Sequence, residues 1–198
     1  MTRTLAISVT LVFLGFAGLQ LGYVTSGQAD WKVILDGTTL KGWDVVGDAN
    51  WSVADGAVQA TKGAGGYLVT PGLYGDFEFS TEIWVSDDAN SGVFVRSEDP
   101  KNITAMNAYE VNVYDKRPDQ SYRTGAIVDV AKPMVQVNAG GRWNTLEITA
   151  RGSRIQVTMN GMKTVDIEDK SHARGAVALQ YGQGSSMVRF RNVRIRSL

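Results

Sequence analysis

The sequence predicts an all-β domain, a sandwich or barrel of about a dozen short strands, preceded by an apolar leader. Three observations carry this expectation. Apolar and polar residues alternate with period two through almost every segment after residue 30. Pairs such as Asp55-Gly56 and Asn160-Gly161 interrupt the alternation at short intervals, as two-residue hairpin loops do, because Asn, Asp and Gly tolerate positive φ. Helical periodicity is nearly absent from the same stretch.

The leader comes first. Arg3 is the only charge in residues 1–29, Leu5 to Val24 is almost entirely apolar, and Gly27-Gln28-Ala29 places small residues one and three positions before Asp30. A positive start, an apolar run and a small-residue exit form a secretory signal peptide, cleaved after Ala29. The rival is an uncleaved anchor, since the run is long enough to span a bilayer. Cleavage leaves residues 30–198 as one domain with no stable membrane span, and implies a periplasmic or secreted location.

The strand candidates follow in chain order. Between Asp76 and Val85, Phe77, Phe79, Ile83 and Val85 share one face, and Glu78, Ser80, Glu82 and Trp84 the other. Val93 and Val95 oppose Phe94 and Arg96, and Tyr109, Val111 and Val113 oppose Glu110, Asn112 and Tyr114. Leu146 and Ile148 alternate with Glu147 and Thr149; Ile155, Val157 and Met159 with Gln156 and Thr158; Val177 and Leu179 with Ala178 and Gln180. Gly65-Gly66, Pro71-Gly72, Gly140-Gly141 and Gly152-Ser153 mark further turns. In the last strand Val188 and Phe190 are out of phase with Val193 and Ile195, so one extra residue, a β-bulge, is expected near Arg191-Asn192. The only candidate helix is a short turn within Ser97 to Ala108.

Composition narrows the function. The chain has 20 basic and 20 acidic residues; losing Arg3 leaves 19 against 20, a net charge of −1 with no basic block, which argues against a nucleic-acid partner. There is no Cys, hence no disulfide, no lipid-attachment thiol and no thiol nucleophile. One His excludes a His-based metal cluster, and no cofactor is identifiable from the residues.

What remains after the core faces are assigned is the useful clue. Glu82 and Trp84, Phe94 and Arg96, and Glu110, Asn112 and Tyr114 lie on the opposite faces of three successive strands, with Gln180 similarly placed in the penultimate one. If those strands are neighbours, their outer face mixes carboxylates, a guanidinium, amides and aromatic rings, as a carbohydrate ligand requires: hydroxyls take polar partners and C–H faces take rings. The alternative is a solvated surface of cross-strand pairs. His172, in Asp169-Lys170-Ser171-His172-Ala173-Arg174, reads as a surface residue. Asp87-Asp88-Ala89-Asn90 lacks a Ca²⁺-loop spacing and reads as a solvated turn. Gly63-Ala64-Gly65-Gly66 is a turn and not a phosphate loop, since no helix pattern follows.

A family resemblance joins these pieces. Leu35-Asp36-Gly37, Leu40-Lys41-Gly42-Trp43, Trp51-Ser52-Val53, Tyr74-Gly75-Asp76-Phe77, Asn90-Ser91-Gly92 with Arg96, Tyr109-Glu110-Val111, Thr124-Gly125-Ala126, Trp143-Asn144 and Phe190-Arg191-Asn192-Val193-Arg194-Ile195 resemble, in order, the 3-keto-disaccharide hydrolase domain family. The resemblance implies a concanavalin A-like jelly roll, a β-sandwich of two antiparallel sheets with a concave carbohydrate face. It also implies chemistry on glycosides oxidised at the sugar 3-position: the ketone acidifies the C2 proton, a base removes it, the enolate expels the glycosidic oxygen, and water adds. On this sequence Glu110 is the expected base or acid and Arg96 the enolate support, with Asn112, Gln180, Trp84 and Tyr114 binding substrate. Many members resemble Leu-Gln-Asp-His-Gly near the C-terminus; here Leu179-Gln180-Tyr181-Gly182-Gln183-Gly184 has no His. A noncatalytic carbohydrate-binding module on the same face is the alternative, and an adhesion role a third.

Overall fold

The computed structural model describes residues 30–198; the expected signal segment lies outside the described residues. The strands are β1 (Lys32–Leu35), β2 (Asp44–Gly47), β3 (Ser52–Ala54), β4 (Ala57–Ala60), β5 (Gly66–Val69), β6 (Phe77–Val85), β7 (Ser91–Ser97), β8 (Tyr109–Val113), β9 (Trp143–Arg151), β10 (Arg154–Met159), β11 (Met162–Glu168), β12 (Ala176–Tyr181) and β13 (Val188–Ser197). They form two antiparallel sheets. The larger runs β11-β10-β9-β6-β13-β4-β3, with β1 also paired to β13; the smaller runs β2-β5-β12-β7-β8. No helix among the described residues is long and apolar enough to cross a membrane.

The alternation read from the sequence is the alternation of burial. Phe77, Phe79, Ile83, Val93, Val95, Val111, Val113, Leu146, Ile148, Val157 and Leu179 are all buried in one core between the sheets. Each such side chain contributes about 1.5–3 kcal/mol of burial free energy, enough in sum to hold a sandwich without disulfides. The Asp55-Gly56 and Asn160-Gly161 hairpins have positive φ at both residues, 50° and 68°, then 51° and 76°. That is the turn whose twist matches paired strands.

The bulge forms as expected. Arg191 pairs with Glu82 and Arg194 with Ser80, so β13 has one residue more than β6 between those pairs, and Asn192 adopts φ 52°. A further bulge lies in β7, where the alternation of the sequence shows no break in phase. Between Ala176–Ser97 and Ala178–Phe94, β7 carries the extra residue, and Arg96 stands there at φ 54°. The expected turn of helix within 97–108 is absent. That segment runs as turns, and a 3₁₀ turn appears instead at Gln120–Tyr122, where Asp119 accepts a hydrogen bond from the Ser121 N–H.

The larger difference lies in cover. In β7, β8 and β12 every residue is buried, on both faces of the sheet. Ile103 and Ala108, from the 98–108 connection, pack with Val69, Phe94, Ala176 and Ala178 in a second apolar cluster outside the smaller sheet. Residues 125–128 lie along the free edge of β8, through Gly125 N–H to Asn112 O (2.8 Å), Asn112 N–H to Ala126 O (3.0 Å) and Val128 N–H to Glu110 O (3.0 Å). The edge is thereby protected, and the outward residues of β8 are withdrawn from water.

Candidate functional site

The register of the smaller sheet lines up two rows of outward side chains. Tyr67 pairs with Gln180, Gln180 with Gly92, and Gly92 with Asn112. One pleat along, Val69, Ala178, Phe94 and Glu110 form the parallel row. The first row is polar with a gap in its middle. A Cβ at Gly92 would stand 2.7 Å from the Val111 carbonyl oxygen, closer than real contacts allow, and 3.5 Å from Gln180 Oε1. Glycine therefore keeps the space between the two amides open.

Those amides are incompletely satisfied. Asn112 donates from Nδ2 to the Tyr122 carbonyl at 2.5 Å, but its Oδ1 is buried without a partner, and so is Gln180 Oε1. Each buried acceptor left unpaired costs about 1–3 kcal/mol. Both acceptors lie in the same row and can accept from any donor that reaches it. Beside Gln180 lies a crevice of about 250 Å³, walled by Tyr67, Asn90 and the backbone of Gly47, Gly65, Gly66 and Gly182.

Glu110 stands next to this row, 8% exposed, across the ladder from Phe94. Burial pushes its carboxyl up from the ordinary 4.5 to about 7; nearby Arg117 opposes the shift, and Asp129 adds to it. Asp129 is held in the left-handed region at φ 60°. Tyr67 meets Phe94 edge-on at 5.3 Å between ring centroids, and its hydroxyl is kept protonated to higher pH by burial and by the Glu110 charge. Arg117 has a buried Nε without a partner. The face thus gathers a carboxyl poised to gain or lose a proton near neutrality, a protonated phenol, an arginine, and two amides with free acceptors.

The structure brings together Glu110, Asn112, Gln180 and Phe94 of the residues singled out from sequence, and separates Glu82, Trp84 and Arg96 from them. Trp84 and Glu82 lie on β6 in the other sheet, because the 86–90 turn carries the chain across the sandwich and β6 and β7 are not neighbours. Trp84 pairs with Trp143, and Glu82 accepts from Arg191 Nε and Asn192 Nδ2, both at 2.6 Å.

Arg96 is also elsewhere. The bulge turns its side chain off the outer face, where it is 1% exposed and donates to three carbonyls: Gly75 O at 2.9 Å, Gly152 O at 2.8 Å and His172 O at 3.1 Å. Asp76 Oδ1 lies 3.3 Å away. Arg96 ties three loops together at one end of the sandwich and is not the arginine beside Glu110. Tyr114 is half-buried in the turn just after β8, where Arg117 N–H reaches its carbonyl at 3.4 Å.

His172 is buried, not a surface residue. Its ring packs on Tyr109 at 4.9 Å between centroids, and Nδ1 lies 3.2 Å from Glu98 Oε1. The sequence reading missed Tyr67 and Arg117. Alternation places Tyr67 opposite Leu68, but its pairing with Gln180, across more than a hundred residues, has no local signal; Arg117 comes from a loop. No group of three or more His, Asp or Glu that could hold a metal ion occurs among the described residues.

Solved structures share this architecture. A candidate glycosyl hydrolase from Parabacteroides distasonis is 26% identical with a TM-score of 0.72, covering 85% of this chain and 100% of that one. A second from the same organism is 19% identical at TM-score 0.73, over 85% and 94%. The carbohydrate-binding module CBM66 from Bacillus subtilis is 18% identical at TM-score 0.63, over 79% and 96%. No match is found among curated proteins. The order of motifs from Leu35-Asp36-Gly37 to the Asn192 bulge, the two-sheet sandwich, and a match spanning residues 30–196 agree: the chain belongs to the 3-keto-alpha-glucoside-1,2-lyase-like domain family.

Proposed function

We propose that the outer face of the smaller sheet binds a 3-keto-glycoside and that Glu110 moves the C2 proton. The carrying observation is the pairing of a buried carboxyl whose pKa is raised to about 7 with a row of unpaired amide acceptors one pleat away. Gln180 Oε1 and Asn112 Oδ1 take sugar hydroxyls as donors across the gap at Gly92. Ionised Glu110 removes the proton next to the ketone, and Arg117 faces the negative charge that develops on the ketone oxygen. The C1–O bond then breaks, leaving a C1–C2 double bond, and Tyr67 supplies the proton taken up by the departing oxygen. Water then adds its oxygen at C1 and gives up a proton to the Tyr67 phenolate, while protonated Glu110 returns its proton to C2, completing hydrolysis and restoring both groups; release before that step makes the protein a lyase.

The second reading is a noncatalytic carbohydrate-binding module. The 179–184 run lacks the His of many relatives, and CBM66 shares the fold at low identity. One assay separates the two: reducing-sugar or aglycone release from oxidised and unoxidised forms of the same glycoside. Glu110→Gln is expected to slow release from the 3-keto form by about 10²–10⁴-fold while the domain stays folded. Equal release by both proteins removes Glu110 from the chemistry. Saturable binding without release from any 3-keto substrate makes the protein a binding module. We also place the mature domain, residues 30–198, in a periplasmic or secreted location; N-terminal sequencing that finds residues 1–29 attached in a membrane fraction overturns this.

A further inference from the structure

The opposite face of the sandwich carries a second groove. It is about 460 Å³, larger than the crevice beside Gln180, and lies on the outer surface of the larger sheet among Ser80, Thr81, Glu82, Thr145, Glu147 and Arg194. A second depression of about 250 Å³ continues from Glu147 toward Thr149, Thr158 and Trp31. The register explains the shape. Ser80 of β6 pairs with Glu147 of β9 on one side and with Arg194 of β13 on the other. Neighbouring strands are about 4.8 Å apart, so a carboxylate and a guanidinium rise from backbones about 10 Å apart with only a serine between them.

Short hydroxyl residues on an outward sheet face are what strand propensity alone selects. Propensity does not explain the charges. On this face Glu78 is paired with Arg196, Glu82 with Arg191, and Asp166 with Arg154 and Lys163. Among the described residues, Glu147 and Arg194 have no ion-pair partner within 4 Å, although both line the groove. Arg194 is nevertheless held in place, its guanidinium 4.9 Å from the Trp31 ring centroid. Arg191, next in the chain to the groove residue Asn192, has its guanidinium carbon 4.0 Å from the Trp143 ring centroid and bonds Glu82. Donors fixed in advance lose little entropy when a ligand arrives. Val33, 59% exposed and opposite Arg194 in the β1–β13 pair, adds an apolar patch to the wall.

We infer that this groove is a second binding site, one that holds a neutral oligosaccharide chain on the face opposite Glu110. Glu147 accepts from sugar hydroxyls, Arg194 donates to them, Ser80 and Thr145 do both, and Val33 meets C–H surface. With Glu82 neutralised by Arg191, the charges of Glu147 and Arg194 balance, so the site favours hydroxyl-rich ligands over strongly charged ones. Two sites on opposite faces let the domain stay on a carbohydrate chain while the other face works, and local concentration rises without any new contact at that face. The inference does not depend on Glu110 performing chemistry.

The test is calorimetric titration of the chain with neutral linear hexasaccharides: cellohexaose, laminarihexaose, maltohexaose and xylohexaose. At least one is expected to bind saturably, with affinity lowered about tenfold by Glu147→Ala, one lost charged hydrogen bond, and by the same factor when Glu147→Ala is made in a Gln180→Ala background. Glu147 is exposed, so its removal does not endanger the fold; Arg194→Ala is expected to act in the same direction. Affinity unchanged by both substitutions, affinity lost only in Gln180→Ala, or no saturable binding to any of the four overturns the site.

Discussion

Replacing Glu110 by Gln is expected to make the protein more stable in mild alkali and to do far less for it in acid. The carboxyl is buried beneath the connections that cover β8, and its folded pKa of about 7 stands above the ordinary 4.5. The folded state therefore binds the proton more tightly than the unfolded chain does. Between these two pH values the native state carries the greater number of protons, so stability falls as pH rises. Below about pH 4.5 the group is protonated in both states and costs nothing; above about pH 7 it is ionised in both, and the folded protein bears the full penalty of a buried charge. At 1.36 kcal/mol per pH decade the penalty reaches about 3 kcal/mol. Glutamine keeps the shape and has no charge to bury, so denaturant unfolding of the variant and the wild type, compared at about pH 8 and about pH 4, should show a difference in stability gain of about 2–3 kcal/mol. The comparison across pH cancels whatever glutamine itself changes in packing or hydrogen bonding. A gain that is the same at both pH values refutes the reasoning, because Glu110 then ionises as an exposed carboxyl does and is not poised for proton transfer.

Two further outcomes follow from the bulges. Arg96→Lys removes the fork that reaches three carbonyls and is expected to cost about 3 kcal/mol or more in denaturant unfolding, since a lysine cannot satisfy all three; a variant as stable as wild type refutes the tethering role. Asn192→Ala puts an ordinary side chain at φ 52° and removes a bond to Glu82, for a loss of about 1–2 kcal/mol in thermal or chemical unfolding, whereas Asn192→Gly should lose less because glycine adopts that φ without strain.

The core was legible because it is written with period two. Phe77 and Phe79, or Val111 and Val113, declare their common face within a few residues, and burial follows from the pleat alone. The Asn192 bulge was legible for the same reason, as a break in phase. Sheet membership was not. Nothing local in Glu82 and Trp84 says that the next turn crosses the sandwich, so alternation alone assigns them to a face they never join. Arg96 failed for a second reason: alternation assumes extended backbone, and a single residue at φ 54° reverses where a side chain goes. Glu110, Asn112 and Gln180 were found because β7, β8 and β12 are true neighbours, but their burial was invisible, since it comes from the 98–108 and 114–131 connections whose sequence carries no periodic signal.

The same residue type thus acquires opposite chemistry on the two faces, and the cover decides which. Glu82 lies on the larger sheet with Arg191 and Asn192 bonded to it, and these bonds hold its carboxyl below the usual range despite partial burial. It stays ionised and has no proton to give. Glu110 lies on the smaller sheet under loops that exclude water, and the positive charge of Arg117 weakens the effect of burial without reversing it. Exchanging the two glutamates' surroundings would exchange their roles, with no change in either side chain. A face whose charges are matched or open to water can hold hydroxyls but cannot readily move a proton. A face whose carboxyl has been desolvated, beside amides left without partners, gives up stability as that carboxyl ionises. On the readings proposed here, the two faces of one sandwich take different tasks, retention on the larger sheet and proton transfer on the smaller.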